Sequence, residues 1–367
     1  MSTLTLTTLR RYAVTRSLFT PTTLPAAIKR LGFVQADPLR APARAQDLIL
    51  RHRVKSYVAG DLERRYAKLA VEEDCFVNYG FVPREMLALL HPRSHFKRTW
   101  DAETAARADE LLAFIRARRE TRSKDVLAAF SHHGRTTGYW GEDANASTHL
   151  LDGLHYRGHL RVLRREAGTR VYAAVEHAPV DQSPAAQRQR AEALLDIVVN
   201  LYAPLPAASL GYLASLLGYG APQLKSHRAD LVKAATTRYA HAEVDGQHWF
   251  WPADEKPLSK RYQRDTPDAA LRLLAPFDPI VWDRRRFELF WGWAYRFEAY
   301  TPASKRKMGH YALPLLWGDE VIGWANVRVL GGSLQHELGF IGARPGGVAF
   351  ERALDEELQR MGQFLGL

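Results

Sequence analysis

An α+β fold is predicted, with helical units that close in β-hairpins and a C-terminal region that turns β-rich. Three observations predict it. Apolar residues recur at steps of three and four through most of the first 260 positions. Two stretches repeat one order of patterns, three helical periodicities and then two strands about a tight turn. Beyond residue 265, Trp and Tyr crowd together and strand-like runs take over.

The 367 residues suit several folded units, and 46% hydrophobic against 25% charged residues is the balance of an ordinary globular chain. A net charge of +11 favours a polyanionic partner, nucleic acid or an anionic membrane surface. Cys75 is the only cysteine, which excludes a disulfide framework and a cysteine zinc site and fits a reducing cytoplasm. No apolar run approaches the roughly 18 residues of a spanning helix. The acid-poor N-terminus superficially resembles a transit peptide. However, Leu6, Leu9, Val14 and Leu18 read as a folded helix that feeds straight into the next segment.

Residues 1–95 are expected to form a first, mostly helical domain. Leu24, Ala27, Ile28 and Leu31 share one helical face, and Gly32 stands where a left-handed C-cap belongs. Pro38 then drives Asp37 into an extended conformation, so Gln35 and Asp37, two apart, share a side. A basic helix is expected from Pro42 through Lys55, with Arg44, Asp47, Arg51 and Lys55 on one face. Asp61 can cap the segment carrying Leu62, Tyr66 and Leu69. The run from Cys75 to Pro83 reads as an aromatic loop or short strand, either hydrophobic packing or a pocket wall.

Residues 96–180 carry helices around Leu111 and Val126, a loop over 134–141, and a helix capped near Asn145 or Ser147 that stops at Gly158. A hairpin follows, Leu160 to Arg165 and Val171 to Val175 about Ala167-Gly168. Residues 181–260 repeat the plan. Helices form around Leu194 and Leu213, a third opens at Pro222 and runs through Lys233, and Asp245-Gly246 turns a hairpin. Helix, helix, helix, hairpin is the winged-helix order, and the arginines at 161, 164, 165 and 170 would make the first wing basic. The first 95 residues are plausible as a third, less regular copy. Residues 261–367 then form a β-rich, barrel-like domain. Strands are expected over Arg296–Tyr300, Tyr311–Trp317 and Glu320–Val329, with Pro314 at an edge or bulge and a closing amphipathic helix from Phe350 to Leu365.

The charge is unevenly spread. Residues 1–60 hold ten Lys or Arg against only Asp37 and Asp47. A carboxylate beside a glutamine in such a field is a candidate for chemistry, though Asp37 could instead cap or pair with an arginine. In the chemical reading the two groups hold a water, which Asp37 deprotonates or beside which it stabilises a sugar cation while Gln35 orients it. His155 and His159 have metal-ligand spacing, but Gly158 interrupts their helix, so neither a metal nor any other cofactor is expected. Lys305 and Arg306, in a loop with Lys307, suit a phosphate backbone, as do Arg40, Arg44, Arg51 and Lys55. The arginines at 284–286 permit the same reading or internal pairing.

Three segments together resemble one known family, the winged-helix DNA glycosylases of the AlkZ/YcaQ type. They are Phe33-Val34-Gln35-Ala36-Asp37 with its following helix, Phe277 through Arg285, and Tyr300 through Leu316. The resemblance implies three tandem winged helices and a C-terminal β domain around duplex DNA. It also implies monofunctional hydrolysis of the N-glycosidic bond of N7-alkylated purines. The Gln-x-Asp pair is similar to the YcaQ/AlkX-like branch, whose tolerance extends to unhooking interstrand crosslinks. On that resemblance Gln35 positions water and Asp37 activates it or stabilises the sugar cation. The chain would act as a monomer on damaged duplex DNA, in the cytoplasm at the nucleoid, with no membrane partner. Asn78-Tyr79-Gly80-Phe81 and Gly323-Trp324-Ala325-Asn326 depart from the family's usual Trp-Ala-His and Gly-Arg-x-Asp. A non-catalytic winged-helix regulator is the competing reading, and a DNA protein that only sequesters adducts is a third.

Overall fold

The helix Leu24–Leu31 forms as its pattern requires. Thr23 accepts from the Ala26 amide at its start, and Gly32 ends it at φ 73°. A Cβ at Gly32 would lie 2.7 Å from Ile197 Cγ2, so packing and backbone both demand glycine there. A computed structural model of the chain describes residues 3–93, 99–137, 143–263 and 270–367. The expected boundary at 95–96, the 138–141 part of the expected loop and the start of the β-rich region before 270 lie outside them. Two compact units emerge, one of Met1–Leu62, Leu195–Ala214 and Ala229–Leu367, the other of Glu63–Leu194 and Ser215–Arg228. Among the described residues no helix is long and apolar enough to cross a membrane.

The second unit holds helices Ala102–Arg116, Ser123–Ala129 and Ala146–Tyr156, followed by the hairpin Leu160–Glu166 with Thr169–Ala174. Asn145 caps the third helix through the Ser147 amide at 2.9 Å. Residues 135–137 pair with 143–145 as a small sheet where a loop was expected. The run around Cys75 is itself a hairpin, Val71–Cys75 with Tyr79–Pro83. Its acids Glu72 and Glu73, with Asp152 of the third helix, hold three arginines of the expected wing. Arg161 pairs with Glu72 at 2.5 Å, Arg165 with Glu73 at 2.6 Å, and Arg170 with Asp152 at 2.7 Å. Charge that looked free in the sequence is thereby neutralised within the unit.

In the first unit the expected basic helix is short, Ala45–Leu50, with Pro42 in the turn before it and Arg44 as N-cap. Asp47 stops its extension. This buried carboxylate accepts from the Tyr57 hydroxyl at 2.7 Å and the Gly60 amide at 3.1 Å, which closes residues 51–60 into a loop. Asp245-Gly246 turns the hairpin Ala240–Val244 with Gln247–Trp251, both residues at positive φ as a two-residue turn requires. From Pro222 the chain first makes a 3₁₀ helix, Pro222–His227, before Arg228–Lys233.

The C-terminal sheet has four antiparallel strands in the order Leu271–Leu273, Leu313–Trp317, Glu320–Leu330 and Ser333–Phe340. It does not close, which corrects the barrel-like expectation. The reason is the terminal helix Val348–Leu365, which occupies the edge a barrel would have to pair. Its Glu357 accepts from the Leu273 amide and its Arg360 donates to the Leu271 carbonyl, both at 2.9 Å. Pro314 pairs opposite Trp324 next to a register shift at Leu315/Leu316, as a strand proline should. Residues 296–300 form no strand. Glu298 instead accepts from the amides of Lys307 and Met308 at 2.8 and 2.7 Å and ties this segment to the following loop.

A buried ion pair crosses this unit. Arg53 and Asp278 are both fully inaccessible, bonded through two oxygens at 2.8 and 2.9 Å. Arg53 also donates to the Ser17 carbonyl, the Ser17 hydroxyl and the Ile49 carbonyl, so its fork is saturated. Asp278 in turn caps the helix Pro279–Trp282 through the Ile280 amide at 3.0 Å. The helix it caps places Ile280 and Val281 in a buried cluster with Val14, Leu274, Phe287 and Leu316. Asp278→Ala strands the arginine charge and should cost about 3–5 kcal/mol in urea unfolding. A loss under about 1 kcal/mol would show that the pair does not organise this core.

Candidate active site

The extended run after Gly32 carries both residues expected to do chemistry. Gln35 is buried at 5% exposure, and its Oε1 accepts from the indole Nε1 of Trp282 at 2.7 Å. An indole N–H can only donate, so the amide oxygen must face Trp282 and the NH2 group must point the other way. Trp282 is itself steadied by Tyr202 and Tyr212, with ring centroids at 5.2 and 6.4 Å. The tryptophan thus fixes which hydrogen-bonding role Gln35 has left.

Asp37 lies at the half-buried end of the run. One carboxylate oxygen accepts from the Leu39 amide at 2.9 Å, a local turn set by Pro38, and the Asp37 amide reaches Gln46 Oε1 at 3.5 Å. Among the described residues no Lys, Arg or His pairs with this carboxylate. Burial pushes its pKa above the ordinary value, and the single bond from Leu39 opposes that only in part. Two phenols register its charge. Tyr311 is buried and its pKa is raised by burial first and by Asp37 next, while Tyr300 is raised for the same two reasons although 77% exposed. Among the described residues the Tyr311 hydroxyl has no hydrogen-bond partner. Tyr311 lines an open cavity of about 710 Å³ with Ala41, Gly309, Asn326, His336 and Glu337.

The structure separates the expected phosphate-binding residues. Arg40, Lys55 and Lys305 are exposed, and Arg44 is half-buried at the start of the Ala45–Leu50 helix. Arg51 is turned inward: its side chain is 4% exposed and bonded to the buried Glu357 at 2.9 Å. This corrects its place among the phosphate binders, since Glu357 offers a desolvated partner that water cannot replace. Arg306 donates to the Thr301 carbonyl at 2.8 Å, so it braces the loop that presents Lys305. Arg284 and Arg286 likewise donate to carbonyls, Arg284 to Pro276 and Arg286 to Ile280, and leave only Arg285 exposed.

Trp282, Tyr300, Tyr311 and Asn326 escaped assignment from residue patterns alone. The only sequence signal for the first three was their place inside the segments that carried the family resemblance, whereas Asn326 stood in the 323–326 stretch that departs from the family's usual pattern. His155 directs Nε2 to the Glu73 carbonyl at 2.9 Å. In the second unit Glu110, His132 and His133 each offer one ligand atom, all within 4.8 Å of one another, so these three could hold a metal ion.

Comparison with known proteins bears on the fold and the family. A solved structure, the Streptomyces sahachiroi DNA glycosylase AlkZ, is similar over 100% of this chain and 98% of its own, with a TM-score of 0.63 at 13% identity. At that identity the likeness concerns the fold. The family model described as "DNA glycosylase AlkZ-like" matches residues 28–364, a span that takes in Gln35, Asp37, Trp282 and Tyr311. The chain therefore belongs to the AlkZ-like DNA glycosylase family, a DNA repair enzyme family, and the non-catalytic regulator reading gives way.

Proposed function

We propose that this DNA glycosylase hydrolyses the N-glycosidic bond of N7-alkylated purines, interstrand crosslinks through such purines included, with Asp37 as the reacting carboxylate. The observation that carries the reading is a half-buried carboxylate without a cation partner among the described residues, in a chain of net charge +11. A carboxylate paired to arginine is quenched as a base and as a cation stabiliser. This one is free for both, and its raised pKa strengthens it as a proton acceptor.

The chemistry follows from the substrate. A purine alkylated at N7 carries a positive charge and leaves as a neutral base, so no general acid is required. What must be stabilised is the cationic sugar, and what must be supplied is a water from which a proton is taken. Asp37 serves the first by charge and the second by basicity. Gln35 has its oxygen committed to Trp282, so its NH2 holds the water through a lone pair while the water donates to Asp37. The hairpin-closed helical stretches at 102–174 and 184–251 are read as winged helices that grip duplex DNA. Arg40, Arg44, Lys55 and Lys305 neutralise its phosphates, and a monomer is sufficient for this.

Asp37→Asn is expected to lower release of 7-methylguanine from alkylated duplex by about 100-fold or more while duplex affinity stays near wild type. Release at the wild-type rate would remove Asp37 from the mechanism. Trp282→Phe keeps the ring and loses the N–H. It should lower kcat by about 10-fold, within the range of one lost hydrogen bond, with KM little changed. A change confined to KM would mean that Trp282 serves binding only. Lys305→Ala should weaken binding to damaged and undamaged duplexes alike and reduce the salt slope by about one.

A further inference from the structure

A second cavity in the first unit, about 510 Å³, lies apart from the candidate active site and shares no lining residue with the cavity beside Tyr311. Six arginines line it, Arg11, Arg30, Arg51, Arg261, Arg272 and Arg360, and Asp319 is the one carboxylate among the described lining residues. Much of this charge is already matched. Arg11 bonds Asp319 at 2.9 Å, and Arg51 and Arg360 share Glu357 at 2.9 and 3.0 Å. Among the described residues, Arg30 and Arg261 have no carboxylate partner. Both also line a neighbouring cavity of about 450 Å³, whose Glu255 is taken by Arg16 at 2.9 Å and by the hydroxyls of Tyr12 and Tyr262 at 2.8 Å. Asp254, the other acid there, is exposed and pairs with neither arginine.

Two guanidinium groups close enough to repel each other are costly, and, with Glu255 offsetting the repulsion only in part, Arg30 shows it. Its pKa is depressed, by burial first and then by Arg261 and Arg16. Arginine cannot escape by losing its proton at any ordinary pH. Both side chains are nevertheless held against rings, Arg30 over Phe19 at 4.0 Å and Arg261 over Tyr262 at 5.4 Å. The two forks are therefore pre-oriented, and Thr15 and Thr20 line the same cavity. Arginine forks accept paired anionic oxygens best, and phosphate supplies these in the densest form.

We propose that Arg30 and Arg261 form the centre of an anion site for a phosphate-bearing ligand, separate from the glycosylase centre. Such an anion comes from one of two sources, a free oligophosphate or the phosphodiester backbone of a nucleic acid held outside the reactive site. Arg30 and Arg261 supply two charges that no carboxylate among the described residues bonds, Arg272 and the threonines line the same cavity, and Phe19 and Tyr262 fix the forks.

The full chain and an Arg30→Gln, Arg261→Gln variant should be titrated calorimetrically with sodium tripolyphosphate at about 0.15 M salt. In parallel, their affinity for an undamaged duplex is read by anisotropy with and without tripolyphosphate, and a thermal melt checks that the variant is folded. Both substituted side chains are exposed, so folding should be retained. The proposal expects tripolyphosphate binding that weakens by about 10-fold or more in the variant. If duplex affinity falls in step and tripolyphosphate displaces the duplex, the ligand is a nucleic-acid backbone. If duplex affinity is untouched, it is a free oligophosphate. A folded variant indistinguishable from wild type with both probes would overturn the proposal.

Discussion

The buried pair between Arg53 and Asp278 is the constraint on which the site's geometry depends. Taking both ions out of water costs several kcal/mol each, and their mutual attraction offsets this only because every donor of Arg53 is used. Such a pair contributes little net stability and a great deal of definition. It ties the segment after the Ala45–Leu50 helix to the start of the Pro279–Trp282 helix, which Asp278 also caps. That helix ends on Trp282, and Trp282 holds the Gln35 amide in one orientation. A single salt bridge deep in the core thus decides which face of a glutamine is offered to a substrate.

The same logic governs where positive charge is allowed to act. The chain is strongly basic, yet arginine after arginine is matched inside the fold. Glu72 and Glu73 hold Arg161 and Arg165, Glu357 holds Arg51 and Arg360, and backbone carbonyls hold Arg284 and Arg286. Internal pairing keeps cations away from Asp37, whose pKa can then rise instead of fall. A carboxylate in this state is destabilising on its own, since burial disfavours the charged form it must adopt. Enzymes commonly carry strain of this kind where they act, at some cost to stability.

What could be read from sequence followed locality. The helix Leu24–Leu31 with its Gly32 cap, the Asp245-Gly246 hairpin and the Asn145 cap depend on neighbouring residues, and each formed as the pattern required. Arg40 and Arg51 look alike in the sequence. Only the distant Glu357 decides that Arg51 turns inward while Arg40 stays exposed. The basic helix proved short because Asp47 had partners at 57 and 60 that no helical periodicity reveals. The strand Ser333–Phe340 was missed because it is largely exposed and lacks a clean alternation of buried and exposed residues. The closing of a barrel was an inference from β-like runs, and the terminal helix with Glu357 and Arg360 on the sheet edge prevents it. Of the candidate site, Gln35 and Asp37 were legible as a pair. Trp282 and Tyr311 were not legible as their neighbours, since nothing local links them.

The role of Asp37 requires a carboxylate disfavoured by burial and relieved by no cation among the described residues. The most direct measurement is a pH titration of its side-chain carbon by NMR in selectively labelled protein, with the signal assigned by its absence in the Asp37→Asn variant. The expected midpoint lies clearly above the value of about 3.9 for an unperturbed aspartate. A midpoint at or below that value would reveal a stabilising partner and contradict the role given to this residue.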